Sequence, residues 1–203
     1  MIRAAVFDLG GVLEVVDDDR WQQRWMTRWE LRSGTKAGTL GRVLADAPTL
    51  SERGFADLVT SSLGLRPDES NRVMLEFWDA YCGDLDVAMR DFVADLGESM
   101  TVAALSNSAD GARREDERRY GFDALFDLMV YSHEVGIAKP DAAIYLHTQK
   151  ALGVDPHEIV FVDDRETAVE GARAVGWHAV LHSSTEPSIA EIRAIIERES
   201  IAP

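Results

Sequence analysis

The sequence predicts an α/β fold, a doubly wound parallel sheet with helices on both faces and an all-helical segment inserted near its start. Five short apolar runs fit buried strands, and segments of helical periodicity separate them. Strands that alternate with helices in this way usually pair in parallel. The five runs are residues 4–7, 101–105, 128–131, 159–162 and 177–181.

The first strand ends in a lone carboxylate. Residues 4–7 are all apolar, as in a strand that is buried on both faces of a parallel sheet, and Asp8 follows them. Gly10 and Gly11 come next and let the backbone turn sharply or approach a ligand closely. A buried charge requires a partner, so Asp8 indicates a metal or phosphoryl site. The alternative is an aspartate that caps a turn.

No strand pattern appears between residues 16 and 88, and we predict a helical insertion there. The core would then comprise residues 1–15 and 89–203. Tryptophans recur every four residues and would form one helical stripe, which favours core packing over a lid helix that lines a pocket. The stripe consists of Trp21, Trp25 and Trp29. Further helix starts and stops in the insertion are Ser51, Gly64 and Pro67.

Helices separate the later strands. Gly97 stops a helix that follows the insertion, and a charged helix spans residues 110–119. Residues 132–138 are predicted to form a loop that leads to Lys139. Because proline suits the first helical position, Pro140 predicts that Lys139 is an N-cap. A last helix should begin with the capping box of Ser188 and Glu191.

Three carboxylates should meet at one edge of this sheet. Ligands of doubly wound sheets bind beyond the carboxyl ends of the strands, where the strand order reverses. Asp8 follows the first strand, and Asp163 and Asp164 follow the fourth. These acids would repel one another without a cation, and their hard oxygen atoms suit Mg²⁺. The alternative is that Asp163 and Asp164 cap the start of a helix.

Phosphate-binding groups should lie at the same edge. Ser106 offers a hydroxyl and Asn107 a backbone N–H at the end of the second strand. Lys139 supplies a positive charge that can hold phosphate oxygens and neutralise neighbouring carboxylates.

Composition excludes several classes of partner. The 203-residue chain carries a net charge of -15, which argues against a nucleic-acid partner. No apolar run reaches the ~20 residues of a membrane span, and no N-terminal signal is apparent. Cys82 is the single cysteine, which indicates a reducing compartment. We therefore expect a cytoplasmic protein with a small substrate, no membrane contact and no obligate protein partner.

Taken in order, these segments resemble the motifs of the haloacid dehalogenase-like superfamily, in a form with a helical cap. Its four motifs match residues 7–12, 105–107, 136–141 and 160–164. The chain is most similar to the sugar-1-phosphate phosphatases and to the phosphatase domain of soluble epoxide hydrolases. The resemblance implies a Mg²⁺-dependent phosphatase that acts on a small phosphorylated metabolite.

The resemblance also implies a role for each motif residue. Asp8 would be the nucleophile that forms an aspartyl-phosphate. Asp8, Asp164 and the Gly10 carbonyl would hold Mg²⁺, and Asp163 would support the ion. Ser106, Asn107 and Lys139 would bind the transferred phosphoryl group.

Two positions depart from the family pattern. Gly10 stands where an aspartate usually serves as general acid and base, and Ala168 stands where an asparagine is common. Glu14 or the acids at positions 17–19 could substitute for the missing aspartate. Two alternatives stay open: a metal-independent dehalogenase, against which Asp163 and Asp164 argue, and a non-catalytic binding protein of the same fold.

Overall fold

A computed structural model describes residues 1–15 and 21–201, apart from the side chains of residues 46 and 48. Its main sheet has five parallel strands, as predicted. They are β1 (Ala4–Phe7), β4 (Thr101–Ser106), β5 (Leu128–Tyr131), β6 (Ile159–Asp163) and β7 (His178–Leu181), in the spatial order β5-β4-β1-β6-β7. Two short strands, β2 (Glu14–Val15) and β3 (Asp84–Leu85), form a separate pair.

Strand β1 lies at the centre of the sheet. Ala4 is opposite Thr101 of β4 on one side and opposite Ile159 of β6 on the other, and every residue of β1 is buried. The chain proceeds from β1 to β4 and β5 on one side, and later to β6 and β7 on the other. The strand order therefore reverses at β1 and β6, the place where ligands of such sheets bind.

Helices cover both faces of this sheet, which confirms the predicted fold class. Successive strand residues point to opposite faces. Val6 and Phe161 belong to the core cluster on one face, which also contains side chains of α8 (Ala142–Leu152) and α9 (Glu166–Ala174). On the other face, Phe7 contacts Phe92 of α5 (Val87–Gly97) edge to face, with ring centroids 6.5 Å apart. The last helix, α10 (Thr185–Ile201), contacts α5, β6 and β7.

The described residues divide into two compact units. The sheet unit comprises residues 1–15, 85–107 and 119–201, and the helical unit comprises residues 21–84 and 108–118. The predicted domain boundaries, with a core of 1–15 and 89–203 and a cap of 16–88, stay a prediction.

Among the described residues, four α-helices and part of a fifth form the helical unit. They are α1 (Trp21–Ser33), α2 (Thr39–Asp46), α3 (Glu52–Leu63), α4 (Pro67–Cys82) and the first part of α6 (Ala112–Tyr120). Ser51 caps α3, Gly64 ends it, and Pro67 begins α4, as predicted. Among the described residues, no helix is both long and apolar enough to cross a membrane.

The tryptophan stripe packs mainly into the core of the helical unit. Trp25 and Trp29 are buried, and the Trp25 ring lies 5.3 Å from that of Phe77 between centroids. Trp21 is half-buried, and it lines a cavity of about 400 Å³ between α1 and α4 together with Trp25. Core packing is thus confirmed for Trp25 and Trp29.

Two predicted helix starts are wrong. Helix α8 begins at Ala142, and Asp141 is its N-cap because its side chain accepts a hydrogen bond from Ala143 N at 2.9 Å. Lys139 therefore precedes the cap by two residues. Helix α10 begins at Thr185, and Ser188 lies inside it as a buried residue. Proline is tolerated in the first turn of a helix, so Pro187 lets α10 start earlier than the capping pattern indicated.

Two further segments differ from the prediction. Residues 132–138 contain a short helix, α7 (Ser132–Val135), which Gly136 ends in a left-handed conformation. The predicted helical insertion ends with strand β3, which is too short to produce an alternating pattern in the sequence.

Candidate active site

Several of the predicted site residues lie at the carboxyl edge of the sheet, at its switch point. Asp8 directly follows β1, and Asp163 ends the neighbouring strand β6. Ser106 ends β4 on the other side of β1. Since Phe7 is opposite Ala104, Ser106 lies one residue further toward the carboxyl edge than Asp8. Asp8, Ser106 and Asp163 are all buried.

Lys139 joins two of the carboxylates. Its side chain is only 3% exposed, and Nζ lies 2.9 Å from Asp8 Oδ1. The same nitrogen donates to Asp163 Oδ2 at 2.6 Å and to the Leu105 carbonyl at 2.7 Å. An ammonium group has three hydrogens, so these partners account for all of them. Lys139 can therefore hold a phosphoryl oxygen only by exchanging one of these partners.

Asn107 fixes the backbone of Lys139. Its Oδ1 accepts a hydrogen bond from Lys139 N at 2.8 Å, and its Nδ2 donates to Lys139 O at 2.9 Å. The sequence indicated only a backbone N–H of Asn107 as a ligand group. It held no signal for this reciprocal pair, because the two residues are 32 positions apart. The Asn107 side chain thus positions the lysine of the site.

Burial dominates the electrostatics of the carboxylates. It raises the pKa of Asp8 to about 7, with the Lys139 ammonium acting in the opposite direction. Burial also raises the pKa of Asp164, and the neighbouring Asp163 adds to that effect. When Asp8, Asp163 and Asp164 are ionised, three carboxylates face one ammonium, and a cation would compensate the excess negative charge at this edge.

The donor set fits Mg²⁺. Asp8, Asp163 and Asp164 each offer an oxygen, and these atoms lie within 4.8 Å of one another. Asp163 also has local partners, since Oδ1 accepts from Arg165 N at 2.8 Å while Oδ2 binds Lys139. Asp164 is exposed, so its oxygen atoms are the more accessible of this adjacent pair. The ligand roles of these residues stay predictions.

The two glycines after β1 serve different purposes. A Cβ at Gly10 would meet no atom within 4 Å, so a side chain would fit there. Gly11 has a φ of 80°, and a Cβ there would lie 2.4 Å from Asp164 Oδ2. Glycine at position 11 therefore makes room for the carboxylate of Asp164, a role that the sequence indicated only as a close approach to a ligand.

The backbones of Gly10 and Ala168, the two positions that depart from the family pattern, each contact other residues. The Ala168 carbonyl accepts a hydrogen bond from the Tyr145 hydroxyl at 2.8 Å, so a neighbouring helix holds the backbone at this position. Gly10 is paired with Glu14 in an isolated bridge. The acids at positions 17–19, named as substitutes for the missing aspartate, lie outside the described residues.

Curated relatives match part of the chain, among them a phosphatase and an epoxide hydrolase. The "Phosphorylated carbohydrates phosphatase" of Thermotoga maritima is 32% identical over 88 residues, which are 42% of this chain and 38% of that protein. The "Bifunctional epoxide hydrolase 2" of Sus scrofa is 34% identical over 70 residues, which are 34% of this chain and 13% of that protein. The chain thus spans well under half the length of either relative.

Solved structures match over nearly the whole chain. A HAD family enzyme of Bacteroides thetaiotaomicron has a TM-score of 0.79 at 21% identity, covering 95% of this chain and 98% of that one. Its complex with magnesium and inorganic phosphate has a TM-score of 0.74. A 2-haloacid dehalogenase of Pseudomonas syringae has a TM-score of 0.71 at 17% identity, covering 98% of this chain and 100% of that one. At these identities the likeness shows the fold alone.

The family model of haloacid dehalogenase-like hydrolases matches residues 2–176. That range includes every predicted site residue, from Asp8 after β1 to Asp164 after β6. The chain therefore belongs to the haloacid dehalogenase-like hydrolase family.

Proposed function

We propose that this hydrolase is a Mg²⁺-dependent phosphatase acting on a small phosphorylated metabolite, in the cytoplasm. One observation carries the proposal: the buried Lys139 ammonium binds both Asp8 and Asp163, with Asp164 beside them. A cation-binding edge with a fixed lysine suits a reaction in which negative charge moves between oxygen atoms. The name of the Thermotoga maritima relative, "Phosphorylated carbohydrates phosphatase", supports a phosphorylated substrate and, within that class, a sugar phosphate.

Asp8 would act as the nucleophile. A carboxylate oxygen of Asp8 attacks phosphorus, and the bond from phosphorus to the ester oxygen breaks. The leaving oxygen takes its proton from solvent water, because Gly10 offers no acid at the usual position. Leu9 N donates to Asp8 Oδ1 at 2.8 Å and Lys139 binds the same oxygen. Since both contacts involve Oδ1, Oδ2 is the oxygen that can attack. Water then attacks phosphorus, which releases inorganic phosphate and regenerates Asp8.

Other residues would hold the charges that develop. Ser106, the Asn107 N–H and Lys139 would bind the equatorial phosphoryl oxygens, with Lys139 exchanging a carboxylate partner for one of them. Asp8, Asp164 and the Gly10 carbonyl would hold Mg²⁺, with Asp163 in support. When bound, the ion supplies positive charge that offsets the repulsion between the nucleophile and the phosphoryl group.

A dehalogenase is the second candidate. Gly10 favours it, because a halide leaves without a proton and needs no acid at that position. The pair of Asp163 and Asp164 favours the phosphatase, because the metal-independent reaction has no use for a cluster of three acids.

A direct assay separates the candidates. Hydrolysis of an aryl phosphate and halide release from a 2-haloacid are measured with Mg²⁺ and with excess chelator. We expect phosphate release that chelation abolishes and Mg²⁺ restores, with a larger loss of Mg²⁺ affinity in Asp164→Ala than in Asp163→Ala. Halide release that is unaffected by chelator would overturn the proposal, and inactivity on both substrates would favour a binding protein.

A further inference from the structure

The chain that follows the predicted phosphate site belongs to the helical unit. Ser106 and Asn107 are in the sheet unit, whereas residues 108–118, which continue directly from Asn107, group with α1 to α4. The position of this segment therefore depends on what it contacts among those helices. Several of its contacts involve one residue, Glu52.

Glu52, the first residue of α3, binds the segment through its backbone and its side chain. Its N–H donates to Asp110 Oδ2 at 2.8 Å. Its carboxylate accepts from both terminal nitrogens of the Arg114 guanidinium, with Nη2 at 2.7 Å from Oε1. Such a two-pronged pair is directional as well as strong. Trp78 Nε1 also donates to Glu52 Oε1 at 3.1 Å, which orients the carboxylate from α4.

Gly111 lets the segment approach these side chains closely. A Cβ at this position would lie 2.8 Å from the Trp78 ring and 2.9 Å from the Glu52 carboxyl carbon. The φ of Gly111 is 99°, in the region that favours glycine. Close packing distinguishes this arrangement from an ordinary exposed ion pair, whose partners keep their side-chain freedom.

We propose that Glu52 is a positioning residue for the phosphate-binding end of β4, an inference that rests on the proposed function. By holding Asp110, Gly111 and Arg114, Glu52 limits the movement of the short connection from Asn107. Asn107 in turn fixes the Lys139 backbone by two hydrogen bonds. Loosening of the segment would therefore disturb the groups that are proposed to bind phosphate.

The metal ligands provide an internal contrast. Asp8 and Asp164 follow other strands, β1 and β6, and are not adjacent in the chain to residues 108–118. Loss of the Glu52 contacts should therefore weaken the binding of phosphate with little change in the binding of Mg²⁺. General destabilisation would instead reduce the fraction of folded protein and leave both affinities of that fraction unchanged.

The test compares Glu52→Ala with the control Arg53→Ala. Arg53 is the next residue of α3 and forms an ion pair with Asp57. The side chain of Arg53 is 92% exposed and that of Asp57 is 77% exposed. Glu52→Gln serves as a milder variant, because it keeps an acceptor for Trp78 and should fold if the alanine variant does not. Each protein is measured for amide hydrogen exchange of residues 105–111, and for the Kd values of inorganic phosphate and Mg²⁺.

We expect Glu52→Ala to accelerate amide exchange in residues 105–111 about tenfold and to raise the phosphate Kd about tenfold. A tenfold change corresponds to the loss of one charge-assisted hydrogen bond. The Mg²⁺ Kd should change by less than about twofold, Glu52→Gln should be intermediate, and Arg53→Ala should match the unmodified protein. Equal exchange and equal phosphate affinity in the Glu52 and Arg53 variants would overturn the inference alone. Absence of phosphate binding in the unmodified protein would overturn the proposed function as well.

Discussion

Position 10 offers the sharpest test of how the leaving group departs in the proposed reaction. Gly10 lies two residues beyond Asp8 and cannot supply a proton to the ester oxygen. We predict that the unmodified protein prefers activated substrates, such as a sugar anomeric phosphate or an aryl phosphate, to primary alkyl phosphates. Gly10→Asp should raise rates on the poor leaving groups much more than on the good ones.

The structure accommodates the new side chain. A Cβ at Gly10 meets nothing within 4 Å, and the residue is exposed. Its φ lies outside the left-handed region, so an aspartate can adopt the same backbone conformation. Replacement of glycine at such a position changes the free energy of unfolding by about 1 kcal/mol or less. A change in rate would therefore report on chemistry and not on the amount of folded enzyme.

The size of the effect follows from general acid catalysis, which contributes ~10²–10⁴-fold where a positioned group protonates the leaving atom. We take the lower end, because an introduced side chain lacks supporting contacts. For a primary alkyl phosphate, kcat/KM should rise about a hundredfold, and for an activated aryl phosphate by less than about threefold, since that oxygen needs little protonation.

The assay is a series of phosphate esters with leaving groups of graded pKa. The logarithm of kcat/KM is plotted against the leaving-group pKa for the unmodified protein, Gly10→Asp and Gly10→Asn. The asparagine variant is the control, because it has the same size and cannot donate a carboxylic proton. The slope should be steep in the unmodified protein and in Gly10→Asn, and shallower in Gly10→Asp.

Two results would refute this reasoning. Equal rates on alkyl and aryl phosphates in the unmodified protein would mean that another residue already supplies the proton. Identical slopes for Gly10→Asp and Gly10→Asn would mean that the introduced carboxyl group acts through its volume or through the metal.

Four further predictions test other parts of the site and of the fold. Asp8→Asn should lower kcat by about a thousandfold or more. Its unfolding midpoint should stay equal or rise, because burial disfavours the ionised carboxylate of Asp8 in the folded protein. Near-normal turnover would exclude Asp8 as the nucleophile. Lys139→Ala should reduce kcat/KM by about a hundredfold or more. Lys139→Arg should restore little of that activity, because a planar guanidinium cannot form the three hydrogen bonds that Lys139 makes from one nitrogen. Mild effects of both substitutions would limit the lysine to a structural role. Gly11→Ala should weaken Mg²⁺ binding about tenfold, as measured by calorimetry, because its Cβ would displace the Asp164 carboxylate; unchanged affinity would remove Asp164 from the ligand set. Burial acts to raise the pKa of Glu115, but hydrogen bonds from Arg118 and Arg114 hold this pKa below the ordinary value of 4.5. The Glu115 carboxylate therefore stabilises the fold at pH values above 4.5, and this stabilisation is lost as the pH falls through the lowered pKa. Glu115→Gln should therefore cost about 1 kcal/mol near neutral pH in denaturant unfolding and progressively less in acid, and a pH-independent difference would contradict that assignment.

Local pattern was enough to predict most strands and helices and to predict that several of the candidate site residues lie close together. Strands β1 and β5 are short runs of apolar residues, and β6 is apolar up to its last residue, Asp163. Such runs occur where both faces of a sheet are covered. Parallel strands all present their carboxyl ends at one edge. The positions of Asp8 and Asp163 in the sequence therefore predicted that they meet, before any contact was known.

Helix ends were less predictable where tertiary contacts competed with local signals. The capping pattern at Ser188 and the proline after Lys139 are each consistent with a helix start. In the folded chain, Asp141 caps α8, and α10 begins at Thr185, whose hydroxyl donates to Asp86 of another segment. A local signal of about 1 kcal/mol is easily outweighed by such contacts.

Residue type and periodicity were therefore sufficient to predict the fold class, the approximate positions of the strands and the candidate groups at the edge of the sheet. The contacts that these groups make with one another depend on the tertiary fold. Three sets of contacts join distant parts of the chain. They are the bonds from the Lys139 ammonium to its three partners, the hydrogen bonds between the Asn107 side chain and the Lys139 backbone, and the bonds from residues 108–118 to Glu52. Hydrogen bonds of this kind depend on the order in which strands and helices pack, and residue periodicity carries information only about neighbours along the chain.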